Sequence, residues 1–171
     1  MAKTVNGVTT HYLVDTLNPT GYAQVLEEIE NGTVVRRYTY GLDLISQHQA
    51  GGVSFYGYDG HGSVRGLTDE IGVATDQYNY EAFGAITSVQ NETQNGYLYS
   101  GENFDKALGF YFLRARFMNP VTGRFLTQDL ISRDLSDASM LHPYAYADAD
   151  PVNRSDRTGY FALDLFLNNN F

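Results

Sequence analysis

The sequence predicts an all-β fold in which consecutive β-hairpins form a curved sheet or partial shell. Three observations predict it: the 171 residues include 14 Tyr and 10 Phe, they include 17 Gly, and an aromatic signature recurs along the chain. Tyrosine and phenylalanine favour half-buried pleated surfaces, and glycine supplies the positive φ angles of tight hairpin turns. At this length we expect one domain with a substantial core.

The recurring signature is an aromatic-x-Tyr tripeptide that is followed by glycine. It begins at Tyr38, Tyr56, Tyr78 and Tyr97, so the intervals are 18, 22 and 19 residues. About twenty residues accommodate two short strands and two turns, which is one hairpin per repeat. We expect the tyrosines to pack across neighbouring strands, which is the ordinary role of such ladders; stacking on a sugar is the alternative.

The repeats place the predicted strands in chain order. The second unit has Tyr56 and Tyr58 on one face of a strand, followed by a turn over 59–62. The pattern in 82–86 repeats that of the second unit. The remaining predicted strands are 10–15, 22–26, 33–40, 63–68 and 73–80.

The rhythm changes after Gly101, which we take as an internal boundary. The hairpins are assigned to residues 1–100, a second region to 101–160 and a tail to 161–171. In the second region we expect a helical turn over 104–108, a strand over 110–117, a short helix or loop over 132–140 and an extended path over 142–146.

Composition argues against several classes of function. The net charge is −9 and the 11 basic residues are dispersed, which disfavours nucleic acid and anionic membranes as partners. No apolar run is long enough to span a bilayer, and the chain has no Cys for a disulfide or thiolate site. We expect no cofactor and no metal, because the four histidines lie singly on separate elements: His11, His48, His61 and His142.

A second set of motifs lies between Tyr97 and Gly159. Together with the tyrosine repeats, their order and spacing resemble the RHS (YD-repeat) family of bacterial proteins and its C-terminal RHS-repeat-associated core. The resemblance covers roughly residues 10–160. The motifs are YLYSGE at 97–102, LGFY at 108–111, RARF at 114–117, NP at 119–120, GRFL at 123–126 with Asp129, PYAY at 143–146, DPVN at 150–153 and DRTG at 156–159.

The resemblance implies a hollow shell of hairpins that encloses a toxic C-terminal segment, with the core region as a plug at one end. It also implies autoproteolysis by an aspartate pair, Asp129 and Asp156, supported by Arg116, with the cut after Tyr160. Two carboxylates held close together share one proton, so one can activate water while the other polarises the scissile carbonyl.

The chain departs from the family pattern at both aspartates. The family has Asp-Pro-x-Gly, whereas this chain has DLIS from Asp129 and DRTG from Asp156, and it has Tyr160 where leucine is usual. Proline restricts the backbone, so its absence alters the expected turn geometry. The alternative is that both aspartates only form turns through their own side chains.

Three hypotheses for function follow. The first is a structural encapsulation module of an RHS-type toxin-delivery protein, and the second is a fibre or ring subunit. The third is a self-cleaving aspartic protease. Open sheet edges predict partners, either further RHS repeats or other copies of the chain, through edge pairing. We expect a secreted or cell-surface protein, although the N-terminus lacks the apolar segment of a signal peptide.

Overall fold

The computed structural model describes residues 1–90, 93–129, 142–160 and 162–164. In these residues the chain forms fifteen strands, all paired antiparallel, and its helical structure is short 3-10 turns. The predicted all-β fold of consecutive hairpins is confirmed.

Nine strands form one sheet in which each strand pairs with its neighbours in sequence. This simple meander is what a series of hairpins produces. The strands are Ala2–Val5 (β1), Val8–Asp15 (β2), Gln24–Glu30 (β3), Thr33–Tyr40 (β4), Leu44–Gln49 (β5), Gly52–Tyr58 (β6), Val64–Thr68 (β7), Ala74–Tyr80 (β8) and Ile86–Gln90 (β9).

Three hairpin loops of the sheet share one five-residue design: 59–63, 69–73 and 81–85. The first residue donates its N–H to the carbonyl of the fifth, and the fourth is a glycine with positive φ. A type I turn followed by a left-handed residue matches the twist of the flanking strands, and glycine adopts that conformation without strain. This loop accounts for the glycine that lies four residues after Tyr58 and four residues after Tyr80.

The register places the signature tyrosines of β4, β6 and β8 on one face, which we call the inner face. Tyr56 lies opposite Leu67 and Tyr58 opposite Val64, both of which are buried. Each tyrosine pair stands at the end of its strand, so the pairs line the same end of the sheet. The tyrosines are therefore packing residues, as expected.

The described residues 97–129 and 142–160 are together called the capping segment. Its strands are short, and 3-10 turns occur at Tyr99–Gly101 and Tyr146–Ala149. Four of its strands form a second sheet, and a fifth pairs with residues just beyond the segment. The strands are Asn103–Asp105 (β10), Phe110–Leu113 (β11), Arg116–Asn119 (β12), Arg124–Phe125 (β13), Arg154–Ser155 (β14) and Leu163–Asp164 (β15).

The capping segment packs over the tyrosine end of the nine-stranded sheet and shares one apolar core with it. The Tyr99 hydroxyl donates to the carbonyl of Ala82 at 2.8 Å, and the Tyr111 hydroxyl donates to that of Gly84 at 3.0 Å. The core residues are Val64, Leu67, Tyr78, Leu98, Tyr99, Tyr111, Leu113, Met118, Phe125, Tyr146 and Ala147.

The helical turn predicted over 104–108 forms one residue later, because Phe104 and Asp105 belong to strand β10: the N–H of Gly109 donates to the carbonyl of Asp105 at 2.7 Å. Three other local predictions are wrong. The fourth signature is not a strand: Tyr97 makes an isolated bridge with Asn103, and Tyr99 lies in a 3-10 turn. Residues 110–117 form a hairpin, because Arg114 adopts φ 57 between β11 and β12. Residues 142–146 form a turn rather than an extended path. The helix or loop predicted over 132–140 lies outside the described residues.

Candidate functional site

The centre of the capping segment holds a buried arginine that contacts two aspartates. Arg116 begins strand β12, and its side chain is 6% exposed. One terminal nitrogen, Nη2, lies 3.1 Å from Oδ2 of Asp129 and 3.5 Å from Oδ2 of Asp156. The three residues that the sequence singled out thus meet, although they come from separate parts of the chain.

The other donors of Arg116 are directed at main-chain carbonyls. Nε donates to Gly159, and Nη1 donates to Pro143 at 3.3 Å. The guanidinium lies 3.6 Å above the ring of Phe125. A planar guanidinium can donate several hydrogen bonds and stack on an aromatic ring at the same time, which suits this buried position. A lysine could not make the same set of contacts.

Asp156 organises the turn that follows it. Its Oδ1 accepts the main-chain N–H of Gly159 at 2.7 Å and of Tyr160 at 3.2 Å, and the hydroxyl of Thr158 at 3.0 Å. A short acidic side chain that binds N–H groups a few residues ahead stabilises a turn locally. The turn therefore forms without the proline of the family pattern.

Gly159 fits this turn for two reasons. Its φ is +74, and a Cβ atom at this position would lie 2.3 Å from the carbonyl oxygen of Leu113. The positive φ is adopted more easily by glycine than by other residues. The close approach to Leu113 excludes any side chain unless the backbone moves.

Burial raises the pKa of Asp156 above its usual 3.8. The hydrogen bonds from Thr158 and Gly159 and the charge of Arg116 act in the opposite direction without cancelling the effect. Asp156 therefore keeps its proton to a higher pH than an exposed aspartate does. Beside a second carboxylate on the same arginine, it is suited to serve as the protonated partner.

The predicted cut after Tyr160 lies next to this turn. Tyr160 is 44% exposed, and its N–H is bound by Asp156. Phe161, on the far side of the bond, lies outside the described residues. The role of the aspartate pair in cleavage stays a prediction.

The sequence assigned no role to a second, partly buried ion pair near the site. Nη1 of Arg114 lies 2.9 Å from each carboxylate oxygen of Glu102, and burial raises the pKa of that carboxyl. Both residues belong to the motifs that carry the resemblance, and this membership was the only sign in the sequence that they could matter. Their pairing depends on the β10–β12 sheet and cannot be derived from spacing.

The described residues contain no cluster of three or more histidine or acidic side chains that could hold a metal ion. No helix in this part of the chain has the length and apolarity required to cross a membrane.

Comparison with known proteins gives relatives by sequence, although no family model matches the chain. It is 34% identical over 167 residues to the tRNA3(Ser)-specific nuclease WapA of Bacillus spizizenii, covering 93% of this chain and 7% of that protein. The tRNA nuclease WapA of Bacillus subtilis strain 168 gives the same identity and coverage. The Aedes aegypti protein named Salivary gland surface protein 1 is 30% identical over 112 residues, which is 64% of this chain and 3% of that protein.

The fold also occurs in a solved structure. The crystal structure of TcdB2-TccC3 matches 92% of this chain and 8% of its own, with a TM-score of 0.67 and 18% identity. This chain therefore spans less than a tenth of the length of the WapA relatives and of the TcdB2-TccC3 chain. Together the similarities support an RHS-type, toxin-related protein.

Proposed function

We propose that this chain is the end of an encapsulating β-shell, with the capping segment as the plug that closes it. The observation that carries the proposal is the position of the capping segment across the tyrosine end of the sheet. Besides the hydroxyl contacts of Tyr99 and Tyr111, the N–H of Val64 donates to the carbonyl of Leu98 at 2.9 Å. These contacts join the two regions through the shared core.

The two edges of the sheet support its continuation into a larger shell. Within the described residues, β1 and β9 are each paired on one side only. An unpaired edge offers N–H and C=O groups to another strand. Further hairpins added at β1 would extend the same meander, as in an array of repeats.

The inner face beyond the tyrosines is polar, which suits a lumen. Arg36 lies 2.8 Å from Oε2 of Glu28 and 3.4 Å from Oε1 of Gln49, on adjacent strands. These residues border an open groove of about 770 Å³. Charged and amide groups tolerate a hydrated or polypeptide content better than an apolar wall would.

The test is protease protection of the complete natural polypeptide that contains this chain. We expect the polypeptide downstream of Tyr160 to resist limited proteolysis until the shell is denatured. The 171-residue chain alone is the control, and its residues 161–171 should be cut quickly. Encapsulation would be contradicted if the polypeptide downstream of Tyr160 were digested at the same rate in both proteins. It would also be contradicted if the natural gene encoded no further repeats.

Self-cleavage after Tyr160 is the second candidate, favoured by the contact of Arg116 with both Asp129 and Asp156. Asp129 would accept a proton from water as the water oxygen bonds to the carbonyl carbon of Tyr160, and Asp156 would polarise that carbonyl. The proton taken up by Asp129 would then pass to the leaving nitrogen as the peptide bond after Tyr160 breaks. Intact-mass analysis of the purified chain should show loss of residues 161–171, and Asp129→Asn should prevent it. A mass that stays complete in the unaltered chain rejects this candidate.

Assembly into fibres or rings is favoured by the same open edges, β1 and β9. Pairing of β1 in one copy with β9 in the next would build a repeating assembly. Light scattering at rising protein concentration tests this candidate, and a monodisperse monomer would exclude it.

We also propose a site of action outside the cell or at its surface, supported by the similarity to a protein named as a surface protein.

A further inference from the structure

The turn between β11 and β12 contacts the main chain just ahead of the proposed cut. Three donors from three consecutive residues meet three consecutive carbonyls. The pairs are Nη1 of Arg114 with Arg157, the N–H of Ala115 with Thr158 at 3.3 Å, and Nε of Arg116 with Gly159.

We propose that this turn is a clamp for the upstream side of the scissile bond and that Arg114 is a positioning residue of the self-cleavage reaction. The inference rests on the self-cleavage proposed above. Arg114 does not contact the aspartate pair in any described interaction. It acts on the peptide segment that connects Asp156 to the bond after Tyr160.

Arg114 is itself held in place. Its Nη1 lies 2.9 Å from both carboxylate oxygens of Glu102, whose side chain is 7% exposed. Its guanidinium carbon lies 4.9 Å from the centre of the Tyr22 ring, which belongs to the loop between β2 and β3. An ion pair and a ring contact together restrict a long side chain that would otherwise sample many rotamers.

The close approach of Gly159 is independent support for the clamp. A Cβ atom on Gly159 would lie 2.3 Å from the carbonyl oxygen of Leu113 and 3.1 Å from the nitrogen of Arg116. Both atoms belong to the backbone at the ends of the β11–β12 turn. The two segments are thus in main-chain contact over the residues whose carbonyls are bound.

The clamp complements the action of Asp156. Asp156 binds the N–H groups of Gly159 and Tyr160, while the turn binds the carbonyls of 157–159. The carbonyl of Tyr160 is the next one along the chain, and it is the one that water must attack. Fixing the preceding peptide groups removes conformational freedom from the reacting bond, and small misplacements of such a bond are costly in rate.

Arg114→Gln in the full chain tests the clamp, with self-cleavage followed by intact mass as a first-order process. We expect the rate constant to fall at least about tenfold, because the segment loses a fixed carbonyl contact. We also expect cuts at bonds next to the one after Tyr160, which a loss of stability alone would not produce. Arg114→Lys should restore part of the rate, since an ammonium can still bind Glu102 or the carbonyl of Arg157.

Arg65→Gln is the matched control. Arg65 also forms an ion pair, 2.7 Å from Asp59, and lies 5.2 Å from the ring centre of Tyr80, away from the proposed cut. Its removal should leave both the rate and the cut position unchanged. Should Arg114→Gln fail to fold, Glu102→Gln loosens the same arginine and should also slow cleavage and broaden the cut position.

The outcomes separate the clamp from the reaction on which it rests. If the unaltered chain is never cleaved, the proposed self-cleavage fails. If the chain is cleaved and Asp156→Asn is not, the reaction stands. In that case an Arg114→Gln variant that cleaves at the original rate and bond overturns the clamp alone.

Discussion

The nine-stranded sheet and the capping segment are stabilised in different ways. Most strands of the sheet have five to eight residues, whereas those of the capping segment have two to four. Asp76 is the buried charged residue of the sheet, and its carboxylate accepts the N–H of Thr93 at 2.8 Å. The capping segment buries four charged residues: Glu102, Asp105, Arg116 and Asp156.

This difference shows which interactions determine each region. Ladder hydrogen bonds and alternating side chains determine the sheet, and both are properties of neighbouring strands. The capping segment has few ladder hydrogen bonds, so its chain path depends on charged side chains. Its arginines bind carbonyls far away in sequence, and its carboxylates bind N–H groups a few residues ahead. Its stability should therefore be more sensitive to single substitutions at charged positions.

The largest expected effect is that of Arg116→Met in the capping segment. It leaves the buried carboxylate of Asp156 and the partly buried carboxylate of Asp129 without their shared cation, and it should lower the free energy of unfolding by about 3–5 kcal/mol. Arg65→Met in the sheet removes a partly exposed ion pair and should cost less than about 1 kcal/mol. Urea denaturation measures both, and equal losses would contradict the contrast between the regions.

Gly159→Ala should have the next largest effect. The added methyl group would meet the carbonyl of Leu113 in a left-handed conformation, so we expect a loss of about 2–3 kcal/mol. Gly109→Ala is the control in the same segment, since Gly109 has φ +76 but nothing within 4 Å of a Cβ atom. That variant should lose only about 1 kcal/mol, and thermal unfolding can distinguish the two.

Removal of single tyrosine hydroxyls should have a smaller effect in both regions. The Tyr80 hydroxyl donates to the carbonyl of Val64 at 2.7 Å inside the sheet, and Tyr111 donates to Gly84 across the boundary. Tyr80→Phe and Tyr111→Phe should each cost about 1 kcal/mol. A much larger loss for Tyr111→Phe in chemical denaturation would show that the boundary contact holds the segment in place.

The two regions also differ in how far the sequence predicted them. Strand β4 was predicted with its observed bounds, 33–40, because alternation and the turn at Gly32 are local signals. Strand β5 was missed, since Leu44–Gln49 carries no aromatic signature and becomes a strand by pairing with β4 and β6. In the capping segment, 110–117 reads as one apolar strand because the turn at Arg114 contains no glycine.

Prediction of the candidate site from the sequence was limited in the same way. The resemblance supplied Asp129, Asp156 and Arg116, and the structure places them in contact. The stacking of Arg116 on Phe125 and its bond to the carbonyl of Pro143 were not predicted. Such contacts arise from packing between distant segments, for which the sequence carries no periodic signal.

The smallest expected effect is a difference in the pH dependence of stability between two aspartates that stabilise turns in the same way. Asp59 in the sheet binds the N–H groups of His61 and Ser63, as Asp156 binds those of Gly159 and Tyr160. Burial acts to raise the pKa of Asp59, but the N–H of Ser63 and the charge of Arg65 outweigh it and lower that pKa. At Asp156, which is 2% exposed, burial prevails and the pKa is raised.

The opposite shifts predict opposite dependences of stability on pH. The folded state binds the proton of Asp156 more tightly than the unfolded state does, so its contribution is present below 3.8 and is lost as the pH rises through the raised pKa. The contribution of Asp59 is present above 3.8 and is lost as the pH falls through its lowered pKa. Urea denaturation at a series of pH values on both sides of 3.8 follows both contributions. Asp156→Asn should remove a fall in stability with rising pH just above 3.8, whereas Asp59→Asn should remove a rise below it. The same change of slope in both variants would mean that burial does not distinguish the two turns.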